Sequence, residues 1–188
     1  MTIKIGLTGA QNSGKTTLAE ELHKILPDAY RVKSIARECP YPINETTTID
    51  GQLWIMTTRI KTELEAKKDK PHFIICERTV LDDYAYFYRK YEREQLYKET
   101  KDIYANLSEN MQWSIVANWL KTYDFLFYLE PLPLVADGTR STDKAFQDEI
   151  DSIIYSGLQG FKYTRLEPGE FQDRVKRVME IIQVSTND

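Results

Sequence analysis

Two cysteines, Cys39 and Cys76, are all that this 188-residue chain carries, and they stand apart. There is no C-x-x-C pair and no metal-ligand spacing against His23 or His72, so neither a disulfide framework nor a zinc site is expected. A cytosolic setting follows. Cys76 lies in an apolar run and reads as a small core residue. Long apolar runs are missing too. None approaches the ~18 residues that a membrane-spanning helix requires. The chain opens directly on a strand-like run, which on this reading leaves no room for a signal or transit peptide. Positive charge is not in excess: 25 Lys and Arg face 29 Asp and Glu, a formal net charge of −4. That argues against a long nucleic-acid-binding face. Repeats, low-complexity stretches and linkers are absent. A single domain over residues 1–188 is expected, large enough to bury about 70% of its unfolded surface.

Glycines are few, eight in all, but two of them frame the most informative octapeptide. Gly9-Ala10-Gln11-Asn12-Ser13-Gly14-Lys15-Thr16 is a complete G-x-x-x-x-G-K-[ST] phosphate-binding loop. Before it, Ile3 to Thr8 is β-prone with apolar residues at alternate positions. After it, Leu18, Leu22, Ile25 and Leu26 fall at helical spacing. Gly9 and Gly14 let the backbone wrap an anion with its N–H groups. The helix opening near Lys15 adds unpaired N–H groups and the positive end of its dipole. Lys15 is placed to reach the β- and γ-phosphates, and the Thr16 hydroxyl to take a Mg²⁺ site. Residues Gly9 to Thr16, with Thr17, are thus the expected site for ATP and Mg²⁺.

Strands and helices alternate along the rest of the chain, the pattern of a parallel α/β sheet. Tyr30 to Ile35 reads as the second strand, leading into Ala36-Arg37-Glu38. Pro40 and Pro42 forbid regular structure until a helix begins near Ile49, with Ile49, Leu53, Met56, Ile60 and Leu64 as its apolar stripe. Phe73 to Cys76 is apolar throughout, as a buried central strand should be. Helical patterns follow over 80–97 and 107–120, then the strand Phe125 to Leu129. Pro131 and Pro133 mark a loop, which Ser141 or Thr142 would close by capping the helix of Phe146, Ile150, Ile153 and Ile154. Phe161 to Leu166 reads as a fifth strand and Phe171 to Ile182 as a closing helix, with residues 185–188 frayed.

A phosphate loop alone does not separate kinases from GTPases, transport ATPases or motors. The guanine-reading N-K-x-D or T-K-x-D is absent, since Thr100-Lys101-Asp102 is followed by Ile103. The L-S-G-G-Q signature is missing as well, and a small kinase remains. Glu77-Arg78-Thr79 ends the third strand, and strand C-termini in open α/β sheets face the ligand crevice. Arg78 is placed to neutralise a transferring phosphoryl group, and Glu77 to hold Mg²⁺ or accept a hydroxyl proton. Gln52 and Arg59, seven apart, share a helix face, and an amide offers donor and acceptor together. Trp54, Tyr84 and Tyr86 are candidates to stack on a base, or else core. Asp137-Gly138-Thr139-Arg140 is a turn with an arginine just before a helix, suited to a mobile lid over 131–145.

These segments resemble known families. Cys76-Glu77-Arg78-Thr79-Val80-Leu81-Asp82-Asp83-Tyr84-Ala85-Tyr86 is similar to the D/E-R-[ST] segment of deoxynucleoside and thymidylate kinases. It also resembles the D-R-T-x-x-D-x-x-A-Y of the ribosylnicotinamide-kinase-like P-loop family, which makes Asp82 an expected acceptor-binding residue. Deoxynucleoside kinases carry a proton-accepting carboxylate after the second strand. The ribosylnicotinamide-kinase-like group has E-x-A-R there, where this chain reads Ser34-Ile35-Ala36-Arg37. The base therefore stays open between Glu38 and Glu77. Gln52 and Arg59 resemble the nucleoside kinases' base-reading glutamine and its neighbouring arginine. Asp137 to Arg140 resembles the ribosylnicotinamide-kinase-like lid. The resemblance implies a P-loop NTPase fold, a three-layer α/β sandwich with a parallel five-stranded sheet in the order 2-3-1-4-5. It implies phosphoryl transfer from Mg·ATP to a nucleoside or nucleotide. Lys15, Glu38, Glu77, Arg78 and Arg140 would be catalytic, and Arg37, Glu38, Gln52, Arg59, Arg78 and Asp82 would bind the acceptor. Ribosylnicotinamide kinase, a kinase acting on a modified base in DNA, and a slow ATPase regulatory module are the alternatives. A homodimer stays open.

Overall fold

The structure is a computed structural model that describes residues 1–97, 103–134 and 143–186, with side chains described for 1–93, 110–134 and 143–183. Five strands among the described residues form one parallel sheet: β1 (Ile3–Thr8), β2 (Ala29–Val32), β3 (Phe73–Cys76), β4 (Phe125–Leu129) and β5 (Thr164–Leu166). Their order is β2-β3-β1-β4-β5. β1 lies at the centre, Ile5 facing Ile75 of β3 on one side and Phe125 of β4 on the other. The sheet carries α1 (Lys15–Ile25), α2 (Ile49–Ala66), α3 (Val80–Tyr97), α4 (Ile103–Trp119), α5 (Lys144–Gly157) and α6 (Phe171–Thr186).

Strand residues alternate between two helical layers, as the period of two requires. Ile5, Leu7, Ile75, Phe127 and Leu129 pack against Leu18 and Leu22 of α1 and Val178 and Ile182 of α6. Ile74, Cys76, Leu126 and Tyr128 pack the other way, on Met56, Leu81, Val116, Phe146 and Ile150 from α2 to α5. This is the three-layer sandwich expected. No helix among the described residues is long and apolar enough to cross a membrane.

Several boundaries differ from expectation, each for a physical reason. β2 stops at Val32 instead of Ile35, because its partner β3 ends at Cys76 and the ladder runs out. The next free amide, Ser34 N–H, donates to the Glu77 carboxylate at 2.8 Å. β5 begins at Thr164, after the Phe161 N–H has closed a turn onto the Leu158 carbonyl. Asp143 caps α5, accepting from Ala145 N–H at 2.9 Å; Ser141 and Thr142 lie outside the described residues. α6 continues through residue 185 to Thr186.

The apolar stripe of α2 is met in part: Met56 is buried and Ile49 and Ile60 pack against the core. Leu64 is 51% exposed, while Gln52, Ile55, Met56, Arg59, Glu63 and Ala66 form the buried face. Glu63 is tolerated there because each oxygen is satisfied. It accepts from Tyr123 Oη at 2.8 Å and Trp119 Nε1 at 2.7 Å, and it pairs with Lys4 Nζ at 2.6 Å. Such burial is costly unless charge and hydrogen bonds are both matched.

Candidate active site

The phosphate loop lies between β1 and α1, and its backbone explains its glycines. Gly9 has φ +147°, and a Cβ there would stand 2.3 Å from the Leu129 carbonyl oxygen. Gly14, at φ +85°, precedes the first turn of α1. Any other residue at either position meets strain. Lys15 is buried and donates to the carbonyls of Gly9 (2.7 Å) and Ala10 (2.6 Å) and to Ser13 Oγ (2.8 Å). Asp151 of α5 lies against the loop, near Lys15 and the Ala10 backbone, and accepts from Tyr128 Oη at 2.8 Å. Burial pushes its carboxyl above the usual range, against the Tyr128 hydrogen bond and the Lys15 charge.

A cavity of about 360 Å³ opens over this loop. Asn12 to Thr17 form one wall, and Arg31, Lys33, Arg37, Glu77 and Arg78 stand among the residues opposite. Of the nine residues expected to hold the nucleotide, Gly9, Ala10 and Gln11 are thus not part of the wall. They shape the loop from behind. Glu77 is 3% exposed, pairs with Arg31 Nη2 at 2.5 Å and accepts from Ser34 N–H. Arg78 Nη1 lies 3.6 Å from Asp82 Oδ1, with its guanidinium 5.7 Å from the Tyr86 ring centre. Arg37 lines the cavity while Glu38, its neighbour, is exposed and does not. The structure therefore brings Glu77 to the wall of the cavity over the loop and leaves Glu38 off it.

Thr16 and Glu77 line the same cavity, which fits a Mg²⁺ ion that takes one or two protein oxygens and fills its shell with phosphates and water. No group of three acidic, histidine or cysteine side chains among the described residues forms an all-protein cage.

A second, smaller pocket of about 50 Å³ adjoins the first and shares Ala36, Ile43, Asn44 and Arg78 with it. Gln52, Ile55, Asp83 and Tyr86 complete it. Gln52 Nε2 donates to Thr47 Oγ1 at 2.5 Å. Arg59 is fully buried behind the pocket. It grips Asp83 through Nε (2.5 Å) and Nη2 (2.9 Å) and reaches the Arg78 carbonyl at 3.3 Å. Burial opposes its charge, but Asp83 outweighs that and holds the guanidinium above its ordinary range. Arg59 thus presents Asp83 and does not face the pocket itself. Tyr84 points elsewhere, stacking on Tyr88 at 5.6 Å.

Asp82, expected to bind the acceptor, is fully buried and engaged internally. It accepts from Gly9 N–H (3.2 Å), Thr79 N–H (2.8 Å) and Thr79 Oγ1 (3.0 Å). Its neighbour Asp83, which sequence reasoning passed over, is the carboxylate in the pocket. Both acids sit in the first turn of α3, where either favours the helix dipole, so composition alone does not separate them. Arg140 lies outside the described residues.

The family model of the AAA domain matches residues 4–174. No curated protein matches the chain. Among solved structures, deoxyadenosine kinase from M. mycoides with the products dCMP and a flexible dCDP bound superposes with a TM-score of 0.70. It is 18% identical, over 97% of this chain and 100% of that one. Thymidylate kinase from Candida albicans superposes with a TM-score of 0.71 at 17% identity, over 99% of this chain and 93% of that one. The loop, the parallel sheet with β1 at its centre and these matches agree: the chain belongs to the AAA domain family of P-loop proteins and has the fold of the P-loop nucleoside and nucleotide kinases.

Proposed function

We propose that this protein is a cytosolic kinase that transfers the γ-phosphoryl group of Mg·ATP to a nucleoside or nucleotide. The observation that carries this reading is the continuity of the two pockets. The cavity over Asn12 to Thr17 leads through Ala36, Ile43, Asn44 and Arg78 to Gln52 and Asp83. A triphosphate on the loop and a base beside Gln52 then meet at Arg78, where the phosphoryl group passes. Lys15 exchanges the Gly9 and Ala10 carbonyls for phosphate oxygens. Thr16 and Glu77 would hold the Mg²⁺, which when bound would supply charge to offset that on the phosphates. Arg78 offsets the charge of the transition state, and Arg37 stands on the acceptor side. Arg140 would close over the phosphates from the lid. Of the two carboxylates considered for the hydroxyl proton, Glu77 lies on the cavity wall and Glu38 does not; the metal role and the base role are alternatives for Glu77.

Gln52 and Asp83 suit a base with an exocyclic amine: the amine donates to the carboxylate and the amide pairs with the ring edge. Adenine and cytosine nucleosides are the first acceptors to test. Nucleosides, deoxynucleosides, nucleoside monophosphates and ribosylnicotinamide, each incubated with Mg·ATP, should separate by ADP release. Turnover with an adenine or cytosine acceptor at least tenfold above the acceptor-free ATPase rate is expected (about 1.4 kcal/mol of discrimination). An unchanged rate with every acceptor would leave only the slow ATPase. A shift of duplex DNA on a gel, followed by labelling of the DNA, would favour the modified-base reading.

A further inference from the structure

Every carbonyl from Gly9 to Ser13 in the phosphate loop has a donor, and the donors fall into two sets. Lys15 takes Gly9 and Ala10. The next three carbonyls are each held by a different element. Gln147 Nε2 of α5 donates to Gln11 O at 2.8 Å. Leu132 N–H, just past β4, donates to Asn12 O at 2.8 Å, and Arg174 Nη1 of α6 to Ser13 O at 2.8 Å. In a trans peptide the carbonyl of one residue and the N–H of the next point in opposite directions, and no cis bond occurs among the described residues. Holding the carbonyls of Gln11, Asn12 and Ser13 on the outer side therefore turns the N–H groups of Asn12, Ser13 and Gly14 to the other side. The cavity wall begins at Asn12. These three N–H groups lead into the first turn of α1, whose N–H groups have no acceptor within the helix.

The two side chains are themselves fixed by carbonyls alone. Gln147 is fully buried, and its Nε2 also donates to Leu132 O at 3.2 Å, so two acceptors dictate which end of the amide faces the loop. Arg174 is 6% exposed, and its other bonds go to Glu167 O (2.8 Å) and Glu130 O (3.4 Å), at the ends of β5 and β4. Its three hydrogen-bond acceptors are neutral carbonyls, while burial opposes its charge and the nearby Glu130 carboxylate favours it.

The geometry points to Gln147 and Arg174 as positioning residues for triphosphate binding: they set the loop's peptide planes and hold them there before a phosphate arrives. Leu132 makes the same clamp reach the start of the proposed lid segment. The inference rests on the kinase reading only in that the loop binds a triphosphate.

Gln147→Glu and Arg174→Gln test it, read by calorimetric Kd for ATP and for inorganic tripolyphosphate. Glu is isosteric with Gln but puts an oxygen against two carbonyls. Each variant is expected to weaken both ligands about tenfold or more, the worth of one or two hydrogen bonds. The KM for the acceptor should stay within about twofold, and Arg174→Lys should recover part of the loss. Folded variants with wild-type Kd values would overturn the assignment. Where a variant does not fold, backbone NMR relaxation on the wild-type protein decides. Order parameters at Asn12 to Gly14 matching those of β1 without ligand support a preset loop, about 0.85 on the usual scale; ordering only on ATP addition overturns it. A wild-type protein that binds neither ATP nor tripolyphosphate would instead overturn the kinase reading and this inference with it.

Discussion

Lys15 does two jobs that a single substitution separates. Its ammonium ties Gly9, Ala10 and Ser13 together, and in the proposed reaction it moves to the phosphates. Lys15→Ala should lower kcat by about 10²-fold or more, on the scale of losing a charge-stabilising donor. It should also cost about 1–2 kcal/mol of stability through the lost loop bonds. Coupled ADP-release kinetics and urea melts measure the two effects; undiminished turnover would remove Lys15 from the chemistry. The carboxylates divide in the same way. Glu77→Gln should raise the Mg²⁺ concentration needed for half-maximal rate, whereas Glu38→Gln, at an exposed position outside the cavity, should change little. A Mg²⁺ titration of both variants tells them apart. At this scale the sequence was legible where a motif fixes a residue's place, as at Lys15 and Thr16 on the cavity wall. It was not legible at Asp82 and Asp83, adjacent acids whose fates depend on a 100° turn of α3. Nor does spacing reveal that Arg59 faces inward, because a buried arginine is recognised by its partner, and that partner is Asp83.

Elements were read from periodicity, and they failed where polar groups are buried. The stripe expected on α2 is met in part, but the core-facing side also holds Gln52, Arg59 and Glu63. These residues pair with groups more than ten positions away or, in the case of Gln52, with Thr47. No local pattern encodes such partners. Strand lengths also depended on neighbours: β2 ends where β3 does. One inter-helix contact carries a pH dependence. Glu149 of α5 receives Arg89 and Arg93 of α3. Burial alone would raise its pKa, but the two arginines outweigh burial and hold the carboxyl below its ordinary 4.5. A depressed folded pKa means stability that is present above the unfolded value and lost as pH falls through the folded one. The gap in stability between wild type and Glu149→Gln should therefore be widest near about pH 6 and shrink toward about pH 3. Denaturant melts across that range check it, and a gap that widened on acidification would contradict the assignment. The effect should be small, because Glu149 is 43% exposed and solvent screens it.

At the scale of the molecule, the loop draws its supports from β1, β4, α5 and α6, so a ligand on it should be felt by the whole sandwich. Mg·ATP at about a hundredfold excess over Kd should add about 2.7 kcal/mol. For a chain of this length that is a rise of about 5–10 °C in Tm. Thermal melts with ATP, GTP and tripolyphosphate measure it, and no shift with any of them would count against a nucleotide site. The architecture itself was the most legible level. Strand, loop and helix in that order, followed by repeated strand–helix units, leave few right-handed arrangements open.

The central place of β1 has a kinetic side. β1 is the first strand in the chain, yet it pairs with β3, some seventy residues on, and with β4, which begins at Phe125. No pairing of β1 joins sequence neighbours. Each pairing must close a long loop before it gains any contact, and such topologies fold slowly. A ribosome adding about 5–20 residues per second thus releases the phosphate loop well before β4 is available to flank it. The segment with the most conspicuous signature is made before either strand that flanks it, and it must wait for both before it takes its shape.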